Sequence, residues 1–319
     1  MNDTTRVAVT SRSFSKHPVL RSELLGRYPN VTFNDEGKTL AGDSLVAFLT
    51  GHSKAITALE RIDDEVLSKL PELKVIGKVG VGLDMLDLEA MERRGVLLGW
   101  AGGTNRRSVS ELALLLMMAA LRQLAAANAD LRSGAWKQRK GRTLSGRVVG
   151  LVGLGNVGKD LAALLAPFGC RILGYDVRID EQACRALKIE PMALDDLLRR
   201  AEVVSLHLPF NAATRGLFDA GRLAMMSRGA VLVNTARGGV VDENALKAAL
   251  KEGRLGAAAF DVFAQEPPAD PELLSLPNFL GTPHIAGSTE EAVLAMGRAA
   301  IRGLDEARPA KEFLTFQRQ

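Results

Sequence analysis

Cysteine is nearly missing from this chain: Cys170 and Cys184 are the only two in 319 residues. They form neither a disulfide framework nor a metal-ligand spacing, and they fit a reducing compartment. The four histidines are scattered, with no HExxH or comparable pattern, so no metal is expected. His17 and His52 have no partner pattern and read as solvent or loop residues. Long apolar runs are absent as well. The longest, Leu112–Leu121, is far short of the ~20 residues needed to span a bilayer. The first residues, MNDTTRVAVT, hold no signal-peptide core. Charge of one sign is scarce: the net charge is +4. The most basic stretch, Lys137–Arg142, has no interleaved aromatics and reads as a solvated loop rather than a nucleic-acid contact. No repeat and no low-complexity tract is found. A stapled secreted domain, a zinc protein, a membrane span and a nucleic-acid binder are thereby disfavoured. A cytoplasmic protein without membrane or nucleic-acid partners is expected.

What the chain does have is an ordinary globular composition, 47% hydrophobic and 24% charged, in a length that suggests about two domains. One stretch organises it. Arg147–Asp176 runs RVVGLVGLGNVGKDLAALLAPFGCRILGYD. A short apolar strand, Val148–Val152, meets Gly153-x-Gly155-x-x-Gly158 at once. A helical pattern, Lys159–Phe168, is closed by Gly169. A second apolar run, Arg171–Tyr175, ends at Asp176. This is the βαβ unit that holds a dinucleotide. Gly153 permits the turn, Gly155 lets backbone approach a pyrophosphate, and Gly158 lets helix and strand pack. The helix N-terminus offers amides to phosphate. Asp176 stands where a carboxylate meets ribose hydroxyls and repels a 2′-phosphate, which favours NAD over NADP. Nearby Arg178 keeps NADP open. A methyltransferase could share such a loop, so the rest of the chain must decide.

Upstream, strand and helix alternate as in a parallel α/β domain. Strands are expected at Val7–Thr10, Val31–Phe33, Ala55–Leu59, Val75–Val79 and Val96–Trp100. Helices are expected at Val19–Arg27, Asp43–Thr50, Asp63–Lys69 and Leu88–Arg94, and Ser11–Lys16 reads as a polar loop. Gly102-Gly103 reads as a hinge. Ser108-Val-Ser-Glu111 has the form of a capping box opening one long helix to about Asn128. That helix is apolar nearly all round, so it must be covered by domain packing or by a second subunit. Downstream, strands at Val203–Leu206, Ala230–Asn234, Ala257–Phe260 and Phe279–Leu280 alternate with helices at Leu194–Ala201, Leu217–Met226 and Asp242–Glu252. The loop Ala264–Pro277 carries Glu266 and four of the twelve prolines. Ser288-Thr-Glu-Glu291 is a second capping box, opening a last helix that can return to the first domain.

Ligands bind outside the carboxyl ends of strands in open α/β sheets. Asp176, His207, Arg237, Asp261 and His284 all follow strands, and Glu266 lies in the loop after one of them. The set suits reduction of a 2-keto acid. His284 can give a proton to the carbonyl oxygen as hydride reaches the carbon. Glu266 can orient the imidazole and stabilise its charged form. The Arg237 fork can grip a carboxylate or keto-acid pair. Val81 and Gly82, after an upstream strand, can add backbone amides. His207 is placed to flank the adenine side of a cofactor.

The blocks GLVGLGNVG, NTARGGVVDE, AFDVFAQEPP and TPHIAGST resemble those of the D-isomer-specific 2-hydroxyacid dehydrogenases, the family that includes D-3-phosphoglycerate dehydrogenase. KVGVGLDMLD and NRRSVSELAL resemble the matching upstream blocks. The resemblance implies an α/β protein of two Rossmann-like doubly wound parallel-sheet domains with a cleft between them. Residues 1–103, completed by 287–319, would bind substrate, and residues 104–286 would bind NAD. It implies a homodimer, with Arg237 on substrate, Glu266 as partner of the histidine and His284 as acid/base. Asp261 falls on an acid near the nicotinamide. Asn156, Val157, Pro209, Thr235, Ala236 and Gly287 join the cofactor set, and Asn105 the substrate set. GWAGGTNRRS departs from the family's commoner Asn-Thr-Pro form, so the cleft floor is expected to differ. The regulatory domain of many phosphoglycerate dehydrogenases is not expected here. Glu266 argues against a formate dehydrogenase, which places glutamine there. Arg61 lies roughly where phosphoglycerate dehydrogenases hold an arginine, although a surface role is favoured. Candidate substrates are 3-phosphoglycerate with 3-phosphohydroxypyruvate, or glyoxylate and hydroxypyruvate. The competing reading is an NAD(H)-sensing binding protein of corepressor type on the same fold.

Overall fold

The computed structural model describes residues 5–314. The chain divides into two compact units: residues up to Asn105 together with those from Gly287 onward, and Arg106–Ala286. Each is a doubly wound α/β unit around its own sheet.

The first unit contains β1 (Arg6–Val9), β2 (Asn30–Phe33), β3 (Lys54–Thr57), β4 (Val75–Lys78) and β5 (Leu97–Gly99). The second contains β6 (Val148–Val152), β7 (Arg171–Tyr175), β8 (Ile189–Pro191), β9 (Val203–Leu206), β10 (Ala230–Asn234), β11 (Leu255–Phe260) and β12 (Phe279–Gly281). A last short strand, β13 (Arg308–Pro309), pairs antiparallel with β5 at one edge of the first sheet. The first sheet runs β13-β5-β4-β3-β1-β2 and the second β12-β11-β10-β9-β6-β7-β8. All pairings other than β13 with β5 are parallel.

Strand alternation divides each unit into two cores. In the second unit, Val231 and Val233 face the helices Arg106–Leu121 and Asn156–Leu165. Leu232 faces the helices Leu194–Arg200, Ala220–Met225 and Glu243–Lys251. In the first unit, the helix Glu290–Gly303 lies against β4 and β5. The approach is backbone on backbone. A Cβ on Gly99 would stand 2.1 Å from the Gly303 carbonyl oxygen, and one on Gly77 would stand 2.5 Å from that of Ala300.

Several local expectations are corrected. Ser11–Lys16 is no loop: Ser11 caps a helix over Arg12–Lys16, anchored by the buried Phe14. The long helix starts at Arg106 and stops at Leu121, and a second, Leu124–Arg132, follows after a bend of 63°. Gln123 enters the left-handed region at φ +52° and breaks the run. Ser108 lies inside the helix, where its Oγ donates to the Ala286 carbonyl rather than capping. The last helix is capped by Thr289, not Ser288. Asp219 caps a helix that begins at Ala220, because Phe218 is buried and bridges to Val241. Short elements that the apolar pattern does not signal are β8, β13 and the helices Glu181–Leu187 and Pro271–Ser275. His52 is buried, bonded to the Thr50 carbonyl and Thr32 Oγ1. His17 accepts from Leu20 N and caps the helix Pro18–Leu25. Among the described residues no single helix is long and apolar enough to cross a membrane.

Candidate active site

The order of strands in the second sheet reverses between β6 and β9, and the glycine turn and His207 follow those two strands. They touch. Gly153 sits at φ +101°, and a Cβ there would be 2.5 Å from the His207 carbonyl oxygen. A Cβ on Gly158 would be 2.1 Å from the Gly153 carbonyl oxygen, so only glycine lets the helix start lie on the turn. Gly155 differs, since its Cβ would meet nothing within 4 Å. It is the N-cap of the helix Asn156–Leu165 and supplies no side-chain acceptor. The amides of Asn156, Val157 and Gly158 therefore lie at the positive end of an uncapped helix, open on the Gly155 side. Asp176 is tied beside them: Oδ2 accepts from Leu154 N at 2.7 Å and Oδ1 from Arg178 N at 3.0 Å. Each oxygen keeps a lone pair for a hydroxyl.

Polar atoms collect at these strand ends. Both ring nitrogens of His207 and the Oγ1 of Thr235 are closed off from solvent with no partner among the described residues. Such atoms are costly unless a ligand meets them. Burial pushes the His207 pKa down to about 4, so the ring is neutral near pH 7. The Pro209 carbonyl accepts from Thr214 Oγ1 at 2.7 Å, which ties down the following loop. An uncapped helix start, an open glycine, a placed carboxylate and unpartnered buried donors together fit a dinucleotide.

His284 and Glu266 meet: Nδ1 lies 2.8 Å from Oε2. The other carboxylate oxygen, Oε1, accepts from Phe263 N at 3.1 Å. Both side chains are about half exposed. A pair of this kind adds little to stability, so its geometry points to another use. His284 has φ +53°, unusual for a residue with a Cβ. Asp261 holds it there. The fully buried carboxylate accepts from Thr282 Oγ1 at 2.6 Å, Ile285 N at 2.8 Å and Ala286 N at 2.8 Å. The Asp261 carbonyl accepts from His284 N at 2.9 Å.

Arg237 follows β10, the neighbour of β11. Asn234, at the end of β10, ties its turn: Oδ1 accepts from Ala236 N at 3.0 Å and Nδ2 donates to the Arg237 carbonyl at 2.9 Å. The Arg237 Nη1 donates to the Ala236 carbonyl at 2.8 Å. Sequence reasoning missed Asn234 and Thr282. In each case the signal was one polar residue at or next to the end of an apolar strand.

The first unit holds the other candidates. The Val81 carbonyl accepts from Trp100 Nε1 at 3.2 Å, and Gly82 lies beside it in the half-buried loop after β4. Asn105 Oδ1 is buried without a partner among the described residues, and its Nδ2 lies 3.0 Å from where a Cβ on Gly287 would stand. Lys78 is buried at the end of β4 and donates to the Ala58 and Val79 carbonyls at 2.6 and 2.8 Å. Arg61 is an exposed residue paired with Asp63 at 3.3 Å.

The family profile described as "D-isomer specific 2-hydroxyacid dehydrogenase, NAD binding domain" matches residues 114–286. The chain belongs to this family of dehydrogenases. The D-3-phosphoglycerate dehydrogenase of Methanocaldococcus jannaschii is 41% identical over 240 residues, 74% of this chain and 46% of the relative. The hydroxypyruvate reductase of Thermotoga maritima is 36% identical over 247 residues, 76% of this chain and 80% of the relative. The holo structure of Rhodotorula graminis D-mandelate dehydrogenase superposes with TM-score 0.84 at 29% identity, covering 95% of this chain and 94% of that one. The chain spans about half the length of the phosphoglycerate dehydrogenases it matches. The glycine turn, Asp176, His207, Arg237, Asp261, Glu266 and His284 all lie within the residues matched to the family's NAD binding domain.

His207 gives a check on this packing. Its pKa of about 4 lies below the ordinary 6.5, so between those values the folded chain binds fewer protons than the unfolded one. Its contribution to stability is therefore lost as pH falls through that window. In a ring-labelled NMR titration of the cofactor-free protein, His207 is expected to stay neutral until about pH 4. Titration near 6.5 would show a solvated ring.

Proposed function

We propose that this dehydrogenase reduces a small 2-keto acid to the D-2-hydroxy acid with NADH, and runs the reverse reaction with NAD. The observation that carries the reading is the 2.8 Å contact between His284 Nδ1 and Glu266 Oε2. With Nδ1 committed to the carboxylate, Nε2 is the nitrogen left to exchange a proton with substrate. When bound, NADH supplies the hydride that reaches the carbonyl carbon. His284 gives its proton to the carbonyl oxygen and is re-protonated from solvent, so one hydride and one proton are consumed per hydroxy acid formed. Glu266 stabilises the imidazolium before transfer. Arg237 pairs with the substrate carboxylate and polarises the carbonyl. Val81, Gly82 and Asn105 are the substrate residues proposed from the first unit.

For the cofactor, Gly153, Gly155, Asn156, Val157 and Gly158 would take the pyrophosphate and Asp176 the ribose hydroxyls. His207, Pro209, Thr235, Ala236, Asp261 and Gly287 would complete the set. Arg61, exposed and paired with Asp63 at 3.3 Å, adds no buried anchor for a phosphate. We therefore expect glyoxylate or hydroxypyruvate ahead of 3-phosphohydroxypyruvate. A homodimer is proposed with it. Leu115, Leu124, Leu131 and Trp136, all in the second unit, are 52%, 55%, 59% and 83% exposed. That is much apolar surface for one short segment to leave in water. A cytoplasmic location accords with two free cysteines.

NADH oxidation should be measured against glyoxylate, hydroxypyruvate and 3-phosphohydroxypyruvate. Turnover on the first two is expected, and turnover on the phosphorylated acid alone would reverse the substrate assignment. His284→Ala is expected to lower kcat about 10²–10⁴-fold with NADH still bound, the usual contribution of a general acid. Arg237→Ala should chiefly raise the keto-acid KM. Retained turnover in the first, or an unchanged KM in the second, refutes that role. Asp176→Ala should narrow the ratio of NADH to NADPH kcat/KM, and an unaltered ratio removes the ribose contact. Light scattering after gel filtration should give twice the chain mass, and a monomer at micromolar concentration contradicts the dimer.

A further inference from the structure

The loop that carries Glu266 is held from outside the reacting groups. Glu243 is the first residue of the helix Glu243–Lys251, and its Oε1 accepts from Ala264 N at 2.7 Å. One residue earlier, Phe263 N donates to Glu266 Oε1 at 3.1 Å, while Glu266 Oε2 faces His284. Two successive amides are thus shared between two glutamates, one in the pair and one outside it. The peptide between them has a third neighbour. Gly238, directly after Arg237, is so close that a Cβ would fall 1.8 Å from the Phe263 carbonyl oxygen and 2.5 Å from Ala264 N. The helix start that presents Glu243 is itself fixed. Asp242 caps it, with Oδ1 accepting from Asn244 N at 2.9 Å and Ala245 N at 3.0 Å.

We propose that Glu243 is a positioning residue for the proposed reaction, holding the Phe263–Ala264 peptide so that Glu266 meets His284. This rests on the reading of His284 and Glu266 given above. A carboxylate bonded to an amide is among the stronger hydrogen bonds. Misplacing a reacting group by about 1 Å costs on the order of 10²-fold in rate. Releasing a loop that Gly238 still contacts costs less, about tenfold. Glu243 touches neither His284 nor Glu266 in the hydrogen bonds described, so its whole effect must pass through the loop.

The test is a double-mutant cycle with NADH and hydroxypyruvate, comparing the parent with Glu243→Ala, Glu243→Gln, Glu266→Ala and the Glu243→Ala/Glu266→Ala double variant. Glu243→Ala is expected to lower kcat about tenfold, with both KM values within twofold of the parent. Glu243→Gln, which still offers an oxygen to Ala264 N, should restore kcat to within threefold. In the Glu266→Ala background, Glu243→Ala should cause no further loss. An unchanged kcat in Glu243→Ala, failure of glutamine to restore it, or full additivity in the double variant overturns the proposal. A parent without turnover, or a Glu266→Ala variant with parental turnover, overturns the pair itself and this inference with it. Glu266→Ala being slow while Glu243→Ala is normal overturns this inference alone.

Discussion

A buried carboxylate must be met by donors, and Asp261 meets this requirement by dictating the fold of its neighbours. It has no solvent exposure, and among the described residues its side chain is met by a hydroxyl and two amides rather than by a cation. The hydroxyl of Thr282 and the amides of Ile285 and Ala286 take the place of its water. Those three donors can converge only if the chain doubles back at His284, and this residue accordingly sits at φ +53°. The cost of the left-handed conformation is offset by satisfying the carboxylate. The side chain proposed to move the proton is therefore aimed by an acid that it never touches through its ring. Such a turn is over-determined, which is what a precise donor–acceptor geometry requires.

The second unit repeats this economy at each strand end. Asn234 ties the turn carrying Arg237, Asp261 the turn carrying His284, and Glu243 the loop carrying Glu266. Gly238 and Gly153 contribute by having no side chain, since any Cβ there would collide with backbone. The sheet supplies rigidity, and short polar residues at its carboxyl edge convert that rigidity into placement of the loops.

Much of this was readable before the structure. The glycine turn, its strands and Asp176 announce themselves because they are local: all lie within thirty residues and follow rules of chain geometry. The alternation of strand and helix was legible for the same reason, as apolar period reports burial. Element ends were less so. Ser108 looked like a cap but sits within a helix because its hydroxyl has a partner in Ala286, far along the chain. The single long helix divided at Gln123, a residue with no turn signature.

The sequence by itself determined the two α/β units and the dinucleotide motif, and it named Arg237, Glu266 and His284 as candidates. Only the tertiary structure decided that His284 and Glu266 touch, that the Asp261 carboxylate is met largely by backbone, that both ring nitrogens of His207 are closed off from solvent, and that Arg61 is exposed. The reason is physical. Local pattern encodes what a residue must be near in the chain. Hydrogen bonds spanning 18 to 25 residues, such as those of His284 and Ala286, depend on how strands settle beside one another.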